Sequence, residues 1–243
     1  MTYKLAERFH SIQGEGVHTG TPMHFIRLAG CNVGAFIPPD KLAGSPDLAV
    51  LREQHPQLSI CTSVFGNQFL CDTAYNKVVE ALTVERILAE TFEGHICITG
   101  GEPFLHDLVP LIAAAQDQGV VSHIETSGTL DVVARLEDVW GDPQPWVTCS
   151  PKAGYLASNW QRVSEFKVIV STDMGTAAEA VCQVSEALGI QVESLGDDVP
   201  VFIQPVNGVH SIDPVQLAFA IDMLRSAPGL RLSVQLHKLL GLQ

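Results

Sequence analysis

Cys31, Cys61 and Cys71 fall in the first third of a 243-residue chain, each beside polar or glycine residues. Residues 1–16 hold no apolar stretch of the kind a secretory signal needs, so no such signal is expected, and thiolates at that density then suggest a metal site rather than disulfides. Three thiolates on a four-iron cluster leave one iron with an open position. Such an iron can hold a small ligand and hand it an electron. The same cysteines joined by His55 or His10 would suit zinc. The plainest reading makes them small buried hydrophobes. No CxxC pair occurs, so spacing alone leaves these readings open. Cys97, between Ile96 and Ile98, and Cys182, in a helical pattern beside Val181, read as core residues, and Cys149 reads as packing at a strand end.

Other polar motifs carry chemistry of their own. In ITGGEP (residues 98–103) two glycines allow close backbone approach to a ligand, and exposed N–H and C=O groups with Glu102 can hold an ammonium or a carboxylate. The plainer reading is a strand-to-helix turn opened by Pro103. SIQGEGVHTGTP (residues 11–22) can cradle a planar polar heterocycle through Gln13 and Glu15, or be a simple hairpin. Arg27 interrupts the apolar run MHFIRLAG. A cation there is costly unless paired. It is either a bidentate clamp on a substrate carboxylate or half of a structural ion pair. ETSG (125–128), SPK (150–152), QPVN (204–207) and QLHK (235–238) repeat the pattern of polar residues at a strand end, although His237 alone would be an ordinary surface histidine.

Alternating strands and helices must position these motifs. Strands are expected at residues 23–29, 95–99, 121–126, 145–150, 165–170, 201–206 and 231–236. Helices are expected at 84–92 after a Thr83 cap, 108–118, 175–188 ended by Gly189, and 214–225 after Asp213. Short buried strands alternating with helices imply an α/β fold with a parallel sheet, whose active site lies where the strands end. A chain of 243 residues with 46% hydrophobic content can build this as a single domain, residues 1–243. Residues 34–57 read as an irregular insertion between the first two cysteines, with a short helical stretch at DLAVLREQ. A net charge of −13 argues against a nucleic-acid partner. No apolar run is long enough to cross a membrane, and a cytoplasmic location is expected.

IQGEG, FIRLAGCN, CDT, TGGEP, ETSGT, SPK, QPV and QLHKLLG occur in this order along nearly the whole chain. Together they resemble the 7-carboxy-7-deazaguanine synthase family of radical S-adenosylmethionine enzymes. TGGEP alone indicates only the superfamily; IQGEG, CDT and the terminal QLHK are specific. The resemblance implies a reduced, TIM-like β/α barrel that pairs as a homodimer. It implies ring contraction of 6-carboxy-5,6,7,8-tetrahydropterin to 7-carboxy-7-deazaguanine with loss of ammonia, for queuosine and 7-deazapurine synthesis. It also implies a [4Fe-4S] cluster on Cys31, Cys61 and Cys71, S-adenosylmethionine, Mg2+ at Thr73, and an electron donor such as flavodoxin or ferredoxin. Leu70, Gly101, Glu102, Ser150, Pro151, Lys152, Gln204, Pro205, Val206 and Asn207 are implied for S-adenosylmethionine. Ile12, Gln13, Gly14, Glu15, Arg27, Thr99, Glu125, His237 and Gln243 are implied for the substrate. The chain departs from the family pattern at Gln68, where a cysteine would complete CxxC with Cys71. The rival readings are a glycyl-radical activase of the same superfamily and a zinc-stabilised binding domain.

Overall fold

Alternation of apolar and polar side chains along parallel strands determines which face of the sheet packs and which reacts. In a computed structural model of the chain, which describes residues 1–42, 46–92, 94–192 and 199–242, eleven strands are seen. They are β1 (Thr2–Ile12), β2 (Pro22–Leu28), β3 (Ile60–Thr62), β4 (Gln68–Leu70), β5 (Glu80–Thr83), β6 (His95–Gly100), β7 (Val121–Thr126), β8 (Trp146–Cys149), β9 (Glu165–Val170), β10 (Val201–Pro205) and β11 (Leu230–Leu232). The helices are α1 (Pro46–Gln54), α2 (Val84–Ala89), α3 (Val109–Asp117), α4 (Val132–Arg135), α5 (Ala177–Leu188), α6 (Pro214–Ser226) and α7 (Leu236–Leu240).

Nine strands form one sheet in the order β11-β10-β9-β8-β7-β6-β2-β1-β5. From β2 through β11 every pairing is parallel and the order never reverses. That is the winding of a β/α barrel, left open because β11 pairs only with β10 among the described residues. The fold is therefore α/β, a partial TIM-like barrel. One face of the sheet carries Ile26, Ile96, Ile98, Ile124, Val147, Val168 and Ile203, all fully buried under a helical layer that includes Leu111, Ile112, Val184 and Ala220. Each such side chain contributes about 1.5–3 kcal/mol by leaving water. The opposite face carries Arg27, Thr99, Glu125, Thr148, Lys167 and Gln204, one residue out of phase.

Local signals set most boundaries. Thr83 caps α2 by accepting the Arg86 N–H at 3.3 Å. Thr176 and Glu179 form a reciprocal capping box, which starts α5 two residues later than the expected 175. Asp213 caps α6, and Gly189 ends α5 in the left-handed conformation. The short helical stretch expected at DLAVLREQ within the insertion is realised as α1. Three expectations need correction. The long β1 was not foreseen, because Lys4, Glu7 and Arg8 interrupt its apolar pattern and its register shifts between Leu5 and Glu7. The strand expected at 231–236 stops at Leu232, since Leu236 already opens α7. Cys182 is exposed rather than core, because α5 buries Ala180, Val181, Val184 and Leu188 and turns residue 182 outward. No helix among the described residues is long and apolar enough to cross a membrane.

A buried histidine, His123, meets two partly exposed ones, His95 and His18, on the same sheet face as the polar residues, towards the strand starts. His95 Nδ1 lies 3.0 Å from His123 Nε2, and His18 stacks edge-on against His123 and Trp146. Burial, helped by His18 and His95, pulls His123 down from 6.5 to about 3. A histidine that loses its proton on folding makes the unfolded chain the better proton binder below its ordinary pKa. Stability should therefore be full above about pH 6.5 and fall as pH drops towards 3. The slope should approach about 1.4 kcal/mol per pH unit for this one proton. Urea unfolding across that range should show a shallower slope in His123→Gln; equal slopes would remove His123 from the account.

Candidate active site

The strand ends of the parallel sheet open into one cavity of about 550 Å³. Three walls matter chemically: a corner of thiols, a charged floor, and a rim closed by the chain's last helix.

The thiol corner joins two segments. Cys31 follows β2, where its sulfur accepts the Val33 and Gly34 N–H groups at 3.4 and 3.5 Å. Cys61 lies in β3 and Cys71 directly follows β4, so the β3–β4 hairpin brings both sulfurs together. Cys61 and Cys71 share a proton. That hydrogen bond raises Cys61, as burial also does, and lowers Cys71 against the opposing effect of burial. Lys152 lies near enough to favour both thiolates. The hairpin is fixed to the barrel by Ala35–Ile60 pairing and by the Ala153 N–H donating to Thr62 O at 3.1 Å. Gly101 of TGGEP passes so close behind Cys31 that a Cβ there would lie 2.6 Å from the Cys31 Cβ. Among the described residues, no set of three or more His, Cys, Asp or Glu side chains surrounds one metal-ion position. Neither His55 nor His10 lines the thiol-bearing cavity, so neither adds a nitrogen donor to the sulfur set. A soft all-sulfur donor set spread along one wall suits an iron–sulfur cluster instead.

The floor is a buried charge network. Lys167, in the middle of β9, pairs with Glu15 and lies 3.8 Å from Glu125. Glu125 also accepts from Gln13 Nε2 at 3.2 Å and Thr99 Oγ1 at 3.0 Å. Burial would raise the Glu125 carboxyl, but Lys167 and these donors outweigh it and lower it. Burial likewise works against the Lys167 charge, yet Glu15 and Glu125 hold its pKa up. The floor thus places carboxylate acceptors at the cavity. Beside it Arg27 gives Nε to Glu7 at 3.0 Å and a terminal N–H to Thr73 Oγ1 at 2.9 Å. The ion-pair reading of Arg27 is realised, and the side chain still lines the cavity.

No family model matches the chain. Among curated relatives, the 7-carboxy-7-deazaguanine synthase of Escherichia coli K12 is 32% identical over 255 residues, covering 100% of both chains. The chain belongs to the 7-carboxy-7-deazaguanine synthase family. The enzyme of the same name from Synechocystis is 28% identical, covering 100% of this chain and 95% of its own. The crystal structure of QueE from Escherichia coli superposes with TM-score 0.63 and 27% identity, covering 98% of this chain and 95% of that one.

As an enzyme of the 7-carboxy-7-deazaguanine synthase type, the chain brings most of its expected site residues to one surface. Ile12, Gln13, Gly14, Glu15, Arg27, Thr73, Thr99, Glu125 and His237 all line the cavity, as do Leu70, Gly101, Ser150, Lys152 and residues 204–207. Two do not. Pro151 is buried behind its neighbours. Glu102 is fully buried, with its carboxylate consumed by Phe104 N–H, Thr126 Oγ1 and both donors of Ser127. Its side chain ties the TGGEP turn to the ETSG turn instead of facing the cavity. Gln243 lies outside the described residues. The last helix closes on the IQGEG loop through Leu236 N–H to Gly14 O at 3.0 Å. Gly14 makes this approach possible, since a Cβ there would lie 2.6 Å from His237 Nδ1. Sequence reasoning missed Lys167, although a lysine inside EFKVIV is the same signal as Arg27 inside MHFIRLAG. It also passed over Asp72, whose carboxylate meets Lys238 at 3.6 Å on the same wall.

Proposed function

We propose that this cavity performs a radical S-adenosylmethionine ring contraction, converting 6-carboxy-5,6,7,8-tetrahydropterin to 7-carboxy-7-deazaguanine and ammonia. The observation that carries the reading is that the thiol corner and the Glu15–Lys167–Glu125 floor line a single cavity. Cys31, Cys61 and Cys71 would hold a [4Fe-4S] cluster. Bound together, the cluster and S-adenosylmethionine would supply one-electron cleavage and a hydrogen-abstracting carbon radical. Gly101, Leu70, Ser150, Lys152 and residues 204–207 would border S-adenosylmethionine, with Lys152 held in place by the Ser150 carbonyl and hydroxyl at 3.0 and 2.7 Å.

The floor suits the pterin's pyrimidinone edge, whose amino and ring N–H groups donate to carboxylates. Glu15 and Glu125 accept, and Gln13 and Thr99 hold Glu125 in position. The substrate carboxylate would sit towards Arg27 and His237, with Mg2+ shared by Thr73. Flavodoxin or ferredoxin as donor, a homodimer and a cytoplasmic setting complete the proposal, within queuosine synthesis for tRNA modification.

The test is anaerobic reconstitution with iron and sulfide, followed by incubation with S-adenosylmethionine, reductant, Mg2+ and the carboxylated pterin. Mass spectrometry should detect the deazapurine acid, together with released ammonia. Cleavage of S-adenosylmethionine with the pterin intact would sink the substrate assignment. Arg27→Ala tests the clamp. Losing a charge-assisted hydrogen bond costs about 1.5–3 kcal/mol, so substrate KM should rise at least several-fold while slow uncoupled cleavage persists. An unchanged KM would leave Arg27 as only the partner of Glu7.

A further inference from the structure

The insertion between Cys31 and Cys61 contributes to the cavity wall. Leu48 and Leu51 of α1 line it, together with Val33, Phe69, Leu70 and the three cysteines. Residues three apart share a helix face, and this face is turned inward: Leu48 is 8% exposed, whereas Val50 on the other side is 50% exposed. The helix is held there. Arg52, almost fully buried, donates to Ile37 O and His55 O at 3.2 Å each and stacks over Phe36. The base of the insertion is pinned to β3 by paired Ala35 and Ile60 backbones, at 2.8 and 2.9 Å. α1 also packs against β4. A helix so anchored presents two leucines to the sulfur-bearing wall and no charged group between them.

We propose that α1 is an apolar shield over Cys31, Cys61 and Cys71, with Leu48 and Leu51 as the shielding residues. Its role is to keep water and polar oxidants from the sulfur site, since the apolar shell around a metal–thiolate centre controls solvent access and redox behaviour. The proposal rests on the iron–sulfur reading for its purpose, but not for its first test. In the metal-free, reduced protein, the alkylation rates of Cys31, Cys61 and Cys71 by iodoacetamide can be read peptide by peptide. Leu48→Ser and Leu51→Ser should raise all three rates at least several-fold, whereas Val50→Ser should not. Cys182 serves as the internal reference, and circular dichroism identifies any variant that has unfolded. Leu51→Ala, which opens the wall without adding a hydroxyl, should raise them less. Unchanged rates in folded Leu48→Ser and Leu51→Ser would overturn the shield.

The second test uses reconstituted protein. Absorbance of the cluster in air should bleach several-fold faster in the two serine variants than in wild type or Val50→Ser. Wild type that assembles a cluster but bleaches no slower than the variants overturns the shield alone. Wild type that takes up no iron and sulfide overturns the cluster reading, and with it the purpose assigned to α1.

Discussion

Alanine at Cys31, Cys61 or Cys71 should abolish assembly of the iron–sulfur cluster, and with it all turnover, while alanine at the other three cysteines leaves iron content intact. The two groups differ in what surrounds the sulfur. Cys31, Cys61 and Cys71 line one cavity and influence one another's ionisation. Cys97 is fully buried beside Met23 and Phe25 in a dry cluster. Cys149 is also fully buried, and burial pushes its thiol up. Neither lines the cavity that holds the other three sulfurs. Cys182 is exposed on the far side of α5. Iron and sulfide per chain after anaerobic reconstitution decide the matter. A full complement in Cys61→Ala, with loss in Cys97→Ala or Cys149→Ala, would show that the hairpin does not carry a ligand.

Lys167→Met should cause the largest loss of folding stability of any single change at the floor. Lys167 is 9% exposed and its partner Glu15 is 10% exposed, so neither charge is hydrated. Removing one member of a buried pair strands the other and costs about 3–5 kcal/mol. Here Glu15 and Glu125 would both be left facing an apolar side chain. Urea denaturation of the metal-free protein should register that loss. Combining Lys167→Met with Glu15→Gln should recover part of it, because the stranded charge is then gone. A loss below about 1 kcal/mol would mean that the pair is screened like a surface ion pair. Lys167→Arg, which keeps the charge but not the reach, separates charge from shape.

How far the sequence could be read is clearest at particular residues. The β9 strand at 165–170 and the β7 strand at 121–126 match expectation residue for residue, because a short apolar run bounded by turn residues has little alternative. The caps at Thr83, Thr176 and Asp213 are local hydrogen bonds and belong to the same class of signal. β1 was hidden, because its stability comes from pairing with β2 and with β5, the latter far along the chain, and not from its own pattern. Motif spelling was enough to name the family and to nominate Cys31, Cys71, Arg27 and Glu125.

What tertiary structure alone decided was the company each residue keeps. TGGEP suggests that Glu102 faces a ligand; the fold spends its carboxylate on Ser127, Thr126 and Phe104. Arg27 could have been a clamp or an ion pair, and long-range pairing with Glu7 and Thr73 makes it a partnered group that still borders the cavity. Lys167 acquires meaning only when Glu15, 152 positions away, folds against it. Local backbone preferences are properties of neighbouring residues and survive in the sequence. Charge pairing, burial and the meeting of Cys31 with the hairpin at Cys61 and Cys71 depend on through-space distances, which exist only once the sheet has folded around them.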